Sequence, residues 1–317
     1  QKTVSMEAAN STSVQEFILL GFSVGKQNRL LLLALFTVVY ILTLAENLLI
    51  MVLVLWNARL SRLPMYILLG HFSWLEMCYV TSTVPRMLSD LMSPQGVISF
   101  HDCFIQFYIF FSLGFTECFL LSAMALDRYL AICHPLHYPM LMSQRFCYAL
   151  VASCWLLGFM WYALPLYSMS KLSYCGTNII DHFVCDPGPL LALACPPLGH
   201  IKVLCSLCGS TALLGTFIFI VISYALVVLT LVRMPSLDQR LKGFSTISSH
   251  LTVVTLFYSS VAAMYVVPGS EHQAAVIKIV TLFYTTITPL INPLIYCLRN
   301  EGVRKALEKA VRKKIDG

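Results

Sequence analysis

The chain reads as an all-α membrane protein, a seven-transmembrane helix bundle followed by a short cytoplasmic amphipathic helix. Three observations predict this. Of 317 residues, 58% are hydrophobic and 11% charged, against about 25% charged in soluble domains, and the mean hydropathy is +0.78. The apolar residues gather into long continuous stretches, each long enough to cross a bilayer core as a helix. A closed β-barrel would instead show segments of about ten residues with alternating polarity. Finally, Arg59, Arg62, Arg145, Arg233, Arg240, Lys242, Arg299, Arg304, Lys305, Lys309, Arg312, Lys313 and Lys314 fall in alternate inter-span loops and the tail, while the opposite loops hold little beyond Lys171. This positive-inside distribution predicts a multi-pass plasma-membrane protein with its N-terminus outside and its C-terminus in the cytoplasm. It also accounts for the net charge of +6 without a nucleic-acid partner.

In order, residues 1–29 form an extracellular N-terminus, 30–298 the membrane domain and 299–317 a cytoplasmic tail. Residues 1–23 lack a continuous apolar core, so the first span is expected to act as the insertion signal. Met6 offers a start, with residues 1–5 as an upstream extension. Asn10-Ser11-Thr12 is a glycosylation acceptor on the outer side. The spans are expected over 30–56, 64–92, 101–133, 144–168, 200–233, 243–267 and 274–298. Pro85, Pro165, Pro289 and Pro293 lie inside or near the ends of spans, where each removes a backbone hydrogen bond and can bend the helix. The longest loop, about 169–199, lies outside and holds three of the twelve cysteines. A helix over 301–315 places Val303, Leu307, Ala310 and Val311 on one face and Arg304, Lys305, Arg312 and Lys313 elsewhere, which suits the inner membrane surface.

Two motifs carry chemistry. Asp127-Arg128-Tyr129 closes the third span; there Asp127 can hold the Arg128 guanidinium in a charge-assisted pair. Asn292-Pro293-Leu294-Ile295-Tyr296 closes the seventh, combining a helix bend, a buried amide and a mobile phenol.

Around these motifs lie Leu63-Pro64-Met65-Tyr66, Met124-Ala125-Leu126 running into Asp127-Arg128-Tyr129-Leu130-Ala131-Ile132-Cys133, Pro135-Leu136-His137-Tyr138, Ser223-Tyr224, Lys242-Gly243-Phe244-Ser245-Thr246-Ile247-Ser248-Ser249-His250-Leu251, and Pro289 through Asn300. With them the chain resembles the rhodopsin-like (class A) G-protein-coupled receptors, and more narrowly the tetrapod-type olfactory receptors, over about 63–300. It departs from that family's pattern at Leu126, usually Tyr, at Ile247, usually Cys, and at Glu46, usually Gly.

The resemblance implies disulfides Cys103–Cys185 and Cys175–Cys195, chemically reasonable outside the cell. It implies Asp127, Arg128, Tyr129, Tyr224, Lys242, His250, Asn292, Pro293 and Tyr296 as the switch and G-protein-coupling residues. It also implies a Na⁺ ion near Glu76, Glu117 and Asn292, since facing carboxylates repel without a proton or cation; no other cofactor is expected. A copper role has been suggested for patterns like His182-Phe183-Val184-Cys185-Asp186, but a bridged Cys185 offers no thiolate.

In receptors of this kind the ligand lies between spans three, five, six and seven. One face of span three offers Phe107, Phe110, Phe111, Gly114 and Phe115, at helical spacing. Span five offers Cys205, Cys208 and Ala212, span six Tyr258, Val261, Ala262 and Tyr265, and span seven Thr281 and Thr285. This lining suits a small, mostly apolar volatile held by shape and one or two hydrogen bonds. The pocket face of span three lacks an acid, so a biogenic amine is not expected. The expected function is an odorant receptor that activates a stimulatory, olfactory-type G protein and raises cAMP. The alternative is a receptor of the same fold for a non-odorant small ligand outside the olfactory system. A transporter is disfavoured by the absence of inverted repeats. An enzyme is disfavoured because no Ser/His/Asp or metal-ligand constellation sits at matching depth.

Overall fold

A computed structural model describes residues 14–22, 24–93, 95–175, 177–266, 273–299 and 301–315; the side chains of 264–266, 273–275, 297–299, 301 and 310–315 lie outside that description. The glycosylation acceptor Asn10 also lies outside it. The bundle is built from α1 (Lys26–Trp56), α2 (Pro64–Met92), α3 (Phe100–Cys133), α5 (Gln144–Trp161) continuing as α6 (Ala163–Ser170), α8 (Gly199–Arg233), α9 (Leu237–Val266), and a seventh span made of α10 (Gln273–Leu282) and α11 (Thr288–Arg299). Shorter helices are α4 (Tyr138–Leu141), α7 (Pro187–Leu193) and the tail helix α12 (Glu301–Ile315).

Among the described residues, five spans are long and apolar enough to cross a membrane on composition alone. The two others carry polar cargo: α2 holds Glu76, Arg86 and Asp90, and the first turns of α9 hold Asp238, Arg240 and Lys242. The most apolar windows are not the most buried. α3 buries 67% of its window against 33% for α1 and for α8, because α3 runs through the centre and packs on α2, α5, α8 and α9. The outer spans turn Leu31, Leu35, Ile41, Leu214, Ile218 and Ile222 outward, as lipid-facing helices do.

Local chemistry sets the helix ends. Ser99 caps α3, its hydroxyl oxygen accepting from the Asp102 amide at 3.0 Å and its O–H donating to the Asp102 carboxylate. Ser143 caps α5 through the Phe146 amide. Pro64 opens α2 at a position that needs no amide. Pro165 lacks the N–H that would continue an α-helix from α5, and the fourth span breaks at Tyr162, three residues earlier. Gly158 lets α5 approach α3 so closely that an added Cβ would overlap Thr116. The seventh span contains a π-turn over Phe283–Ile287, which shifts the faces of α10 and α11 against each other.

One end of the bundle carries a three-stranded sheet in the order β2-β1-β3, with β1 (Glu16–Leu19) antiparallel to β2 (Val97–Ser99) and parallel to β3 (Ile179–Ile180). Phe17 of β1 is fully buried and packs its ring edge-on against Tyr174. Gly96 turns the chain into β2 at φ +61°, and a side chain there would strike the Leu19 carbonyl. At the opposite, basic end, α12 packs against α1 and α11 with Val303 fully buried.

Candidate functional site

Beneath the sheet a cavity of about 910 Å³ opens between α3, α8 and α9. Its floor and one wall come from α3: Phe110, Phe111, Gly114, Phe115 and Cys118. These aromatics are held by neighbours rather than loose. Phe110 stacks on Tyr79 of α2 at 5.1 Å, and Phe111 and Phe115 stack on Tyr162 at 5.4 and 5.5 Å. The facing wall comes from Cys205, Ser206, Gly209 and Leu213 of α8 and from Phe257 and Val261 of α9. Ile277 and Tyr284 of the seventh span close one side; Asp181, His182, Asp186 and the apolar residues of α7 form the roof.

Of the residues expected here from sequence, Phe110, Phe111, Gly114, Phe115, Val261 and Cys205 line the cavity. Others stand elsewhere. Phe107 is fully buried behind the wall, between Phe104, Phe111 and Tyr162. The backbone carbonyl of Cys208 accepts from Trp161 Nε1 at 2.8 Å and ties α8 to α5. Tyr258 donates to Thr216 at 2.7 Å and so bridges α9 to α8. Ala262 is exposed on the outside of α9. Ala212, Thr281 and Thr285 are buried in helix packing. The Tyr265 side chain lies outside the described residues.

The roof is covalently and ionically fixed. Disulfides join Cys103 to Cys185 and Cys175 to Cys195. Lys278 of α10 meets Asp181 at 2.5 Å and donates to the Gly21 carbonyl at 3.1 Å, drawing the N-terminal segment, the long loop and the seventh span together. Sequence reasoning missed Lys278, a single cation inside an apolar run. Burial pushes the Asp186 carboxyl up to about 6, opposed by the hydrogen bond it accepts from the Gly188 amide. Burial, with Lys278 nearby, pushes His182 down to about 4.

At mid-depth, Asn292 donates to Glu76 at 2.5 Å, and Asn47 donates to the Pro289 carbonyl at 3.3 Å. Glu117 Oε1 and Asn292 Oδ1 are buried without a hydrogen-bond partner among the described residues. Glu46 is half-buried on α1, with Oε2 likewise unpartnered.

The basic end holds a second cavity of about 650 Å³, lined by Asp127, Arg128, Lys242, Ser245, Ser249, His250 and Tyr296 among others. Arg128 is paired to Asp127 at 2.5 Å, and Tyr138 donates to the other carboxylate oxygen at 2.7 Å. Burial and Asp127 push the Tyr138 phenol up, so it remains a donor. Tyr224 bonds His250 Nδ1 at 2.5 Å, and Tyr129 bonds His134 at 3.1 Å. Tyr296 packs edge-on against Phe72, its buried hydroxyl without a partner among the described residues. Pro293 is buried inside α11. Among the described residues Lys242 pairs with Asp238, both well exposed.

A family model described as olfactory receptor matches residues 36–314. The human protein named Olfactory receptor 11G2 is 54% identical over 301 residues, covering 95% of this chain and 87% of its own. Human Olfactory receptor 11H6 is 49% identical over 94% of this chain and 90% of its own, and human Olfactory receptor 6B1 is 44% identical over 96% and 97%.

Proposed function

This chain belongs to the olfactory receptor family, and from that premise we propose that it detects small, mostly apolar volatile molecules in the cavity beneath the sheet and activates a stimulatory, olfactory-type G protein that raises cAMP. The observation that carries the ligand class is the cavity itself: about 910 Å³, walled by stacked aromatics from α3 and by apolar and thiol side chains. Such a lining binds by shape and excluded water, with few polar contacts setting orientation. No acid of α3 stands in that wall among the described residues, which disfavours a cationic amine.

The sheet end faces outward in this reading and the basic end faces the cytoplasm. Two disulfides at the sheet end suit an oxidising compartment, and the basic loops suit the cytoplasmic leaflet. α12 packs its Val303 and Leu307 side against the bundle and leaves Arg304 and Lys309 exposed, where they suit the inner lipid surface. Ligand binding favours the state it fits better. In that state the basic end of α9 moves away from α3, Arg128 leaves Asp127, Tyr224 leaves His250, and the enlarged cavity admits a helix of the G-protein α-subunit. Lys242 and the serines of α9 line its mouth.

The unpartnered Glu117 and Asn292 oxygens beside Glu76 fit a sodium ion. Glu76, Glu117 and Asn292 would hold it, and its charge would offset the two carboxylates.

The test is cAMP accumulation in cells exposed to a volatile panel, with surface staining to confirm display. We expect a dose-dependent response that Arg128→Ala abolishes at unchanged surface level. A response that survives Arg128→Ala refutes the coupling mechanism.

A further inference from the structure

The cavity beneath the sheet changes character with depth. Near the roof its lining includes Lys202 and Ser206 of α8 with Asp181 and Asp186; deeper it is Phe115, Leu213 and Phe257 with their neighbours. Ser206 and Leu213 stand about 10 Å apart along α8, so one helix carries both the polar and the apolar end of the wall.

Ser206 belongs to the cavity side of that helix. At about 100° per residue, the lining residues Lys202, Cys205, Ser206, Gly209 and Leu213 fall within about 100° of arc. The exposed apolar residues Val203, Leu207 and Leu214 centre about 130° from the middle of that arc. A side chain as short as serine stays within its own arc, and Ser206 is exposed there. Its hydroxyl is also free. Further along α8 the hydroxyls of Thr211, Thr216, Ser223 and Thr230 each donate to the carbonyl four residues back. Ser206 makes no such bond and has no other hydrogen-bond partner among the described residues.

The other polar groups of the lining are spent or ill placed. His182 Nε2 is enclosed. The Cys205 thiol is turned to Met169 Sδ at 3.7 Å, and Cys118 is 1% exposed. Tyr79 and Tyr284, at the floor, are buried and hydrogen-bonded to each other. Asp181 is engaged by Lys278, and Asp186 accepts from the Gly188 amide. Lys202 is exposed one turn nearer the mouth, where water competes for its ammonium. The two lysines and two aspartates at this end balance in charge, so an ionised ligand gains no net attraction there. A neutral polar group does gain from Ser206, whose hydroxyl can donate or accept.

Resting on the odorant reading above and narrowing it, we propose that the Ser206 hydroxyl anchors the polar end of the ligand beneath the roof while its hydrocarbon end runs down onto Phe115 and Phe257, so that the cavity selects neutral volatiles whose oxygen lies at one end of the chain.

The probes are a methyl ketone of about six to ten carbons, the mid-chain ketone and the alkane of the same length, and the corresponding ionised carboxylate. They are applied to wild type, to Ser206→Ala, which lacks the hydroxyl, and to Ser206→Thr, which keeps it. Two readouts are used: cAMP in cells with measured surface display, and thermal melting of the purified receptor, which reports binding without a G protein.

Wild type should respond to the methyl ketone at about three- to tenfold lower concentration than to the other probes. Ser206→Ala should erase that advantage and leave the alkane unchanged, while Ser206→Thr should retain it. Equal weakening of ketone and alkane in Ser206→Ala, at normal surface level, would show that Ser206 only shapes the wall and would overturn the proposal. A carboxylate that outranks the methyl ketone would move the anchor to Lys202 and overturn it too. Methyl ketones that raise the melting temperature of wild type but not of Ser206→Ala, with cAMP silent throughout, would support it while sinking the coupling reading. A wild type that responds to all the probes alike would overturn it and leave the receptor reading intact.

Discussion

The two ends of the bundle are held together in opposite ways. At the sheet end, two disulfides, a three-stranded sheet and the Lys278–Asp181 pair fix the roof over a cavity whose aromatic walls are stacked against their neighbours. At the basic end the key groups are held pairwise by single hydrogen bonds: Arg128 and Tyr138 to Asp127, Tyr224 to His250. No disulfide crosses that end among the described residues. A template that discriminates shapes must resist deformation, because a loose pocket loses the packing differences on which it relies. A switch must break in response to the energy of one small ligand, so its latches must be few and individually weak. The same chain supplies both by placing covalent links at one end and side-chain pairs at the other.

The largest expected effect tests the first half of that contrast. Cys103→Ala removes the link between α3 and the roof, and loss of a native disulfide typically costs about 2–5 kcal/mol. Surface display should collapse towards background while total protein remains detectable. Normal display and unchanged ligand potency in Cys103→Ala would show that the sheet, the second disulfide and the Lys278–Asp181 pair fix the roof without it.

The basic end should answer differently. Tyr138→Phe removes one of the two hydrogen bonds on Asp127 without touching the core. A hydrogen bond to a charged group contributes about 1.5–3 kcal/mol, and here that stabilisation belongs to the latched state. Basal cAMP should therefore rise about fivefold or more, with surface display unchanged. If basal cAMP stays level while display falls, Tyr138 is a packing residue and the latch lies elsewhere.

Lys278 gives a smaller effect. Its ammonium is largely buried, but the Asp181 carboxylate is about half exposed, so solvent screening limits the pair to about 0.5–1 kcal/mol. Lys278→Met should lower the melting temperature by about 1–3 °C and ligand potency by about two- to threefold. The double variant with Asp181→Asn should cost little more than either single one. Fully additive losses would mean that Lys278 acts through Gly21 alone.

How much of this was legible in the sequence follows from what each feature depends on. The spans depend on continuous hydrophobicity, and their centres could be read directly. Their ends could not: α1 begins at Lys26 rather than 30, and α9 at Leu237 rather than 243, because polar helical turns project beyond the apolar run. β1 was invisible, being four residues with no partner nearby in sequence. The π-turn leaves hydropathy unchanged. In the cavity, α3 announced its face through the Phe110, Phe111, Gly114 and Phe115 spacing. On α9 the expected Val261 lines the cavity, but beside it stands Phe257 where Tyr258 and Ala262 were expected. One residue is about 100° of rotation, and a helix with apolar residues all round gives no signal to choose between Phe257 and Tyr258.

The smallest effect separates the two titrating groups of the roof, and its sign distinguishes them. The Asp186 carboxyl is raised to about 6 in the folded protein, above its unfolded value of about 4. The folded state therefore holds this proton more tightly, and the ionised group opposes folding. That opposition is absent below the unfolded value and complete above the folded one, so wild type should gain stability on going from pH 7 to pH 5 relative to Asp186→Asn. His182 runs the other way. Its folded value of about 4 lies below the unfolded one, so wild type should lose stability relative to His182→Asn as pH falls below about 6.5. The two slopes oppose each other between about pH 4 and 6, and a melting profile of wild type alone would look nearly flat there. Melting temperatures of wild type and each variant at pH 5 and pH 7 should uncover slopes of opposite sign, each a shift of about 1–3 °C. A slope that vanishes for either group would mean that this group faces solvent, and the rigid, dry roof that distinguishes this end from the other would have to be given up.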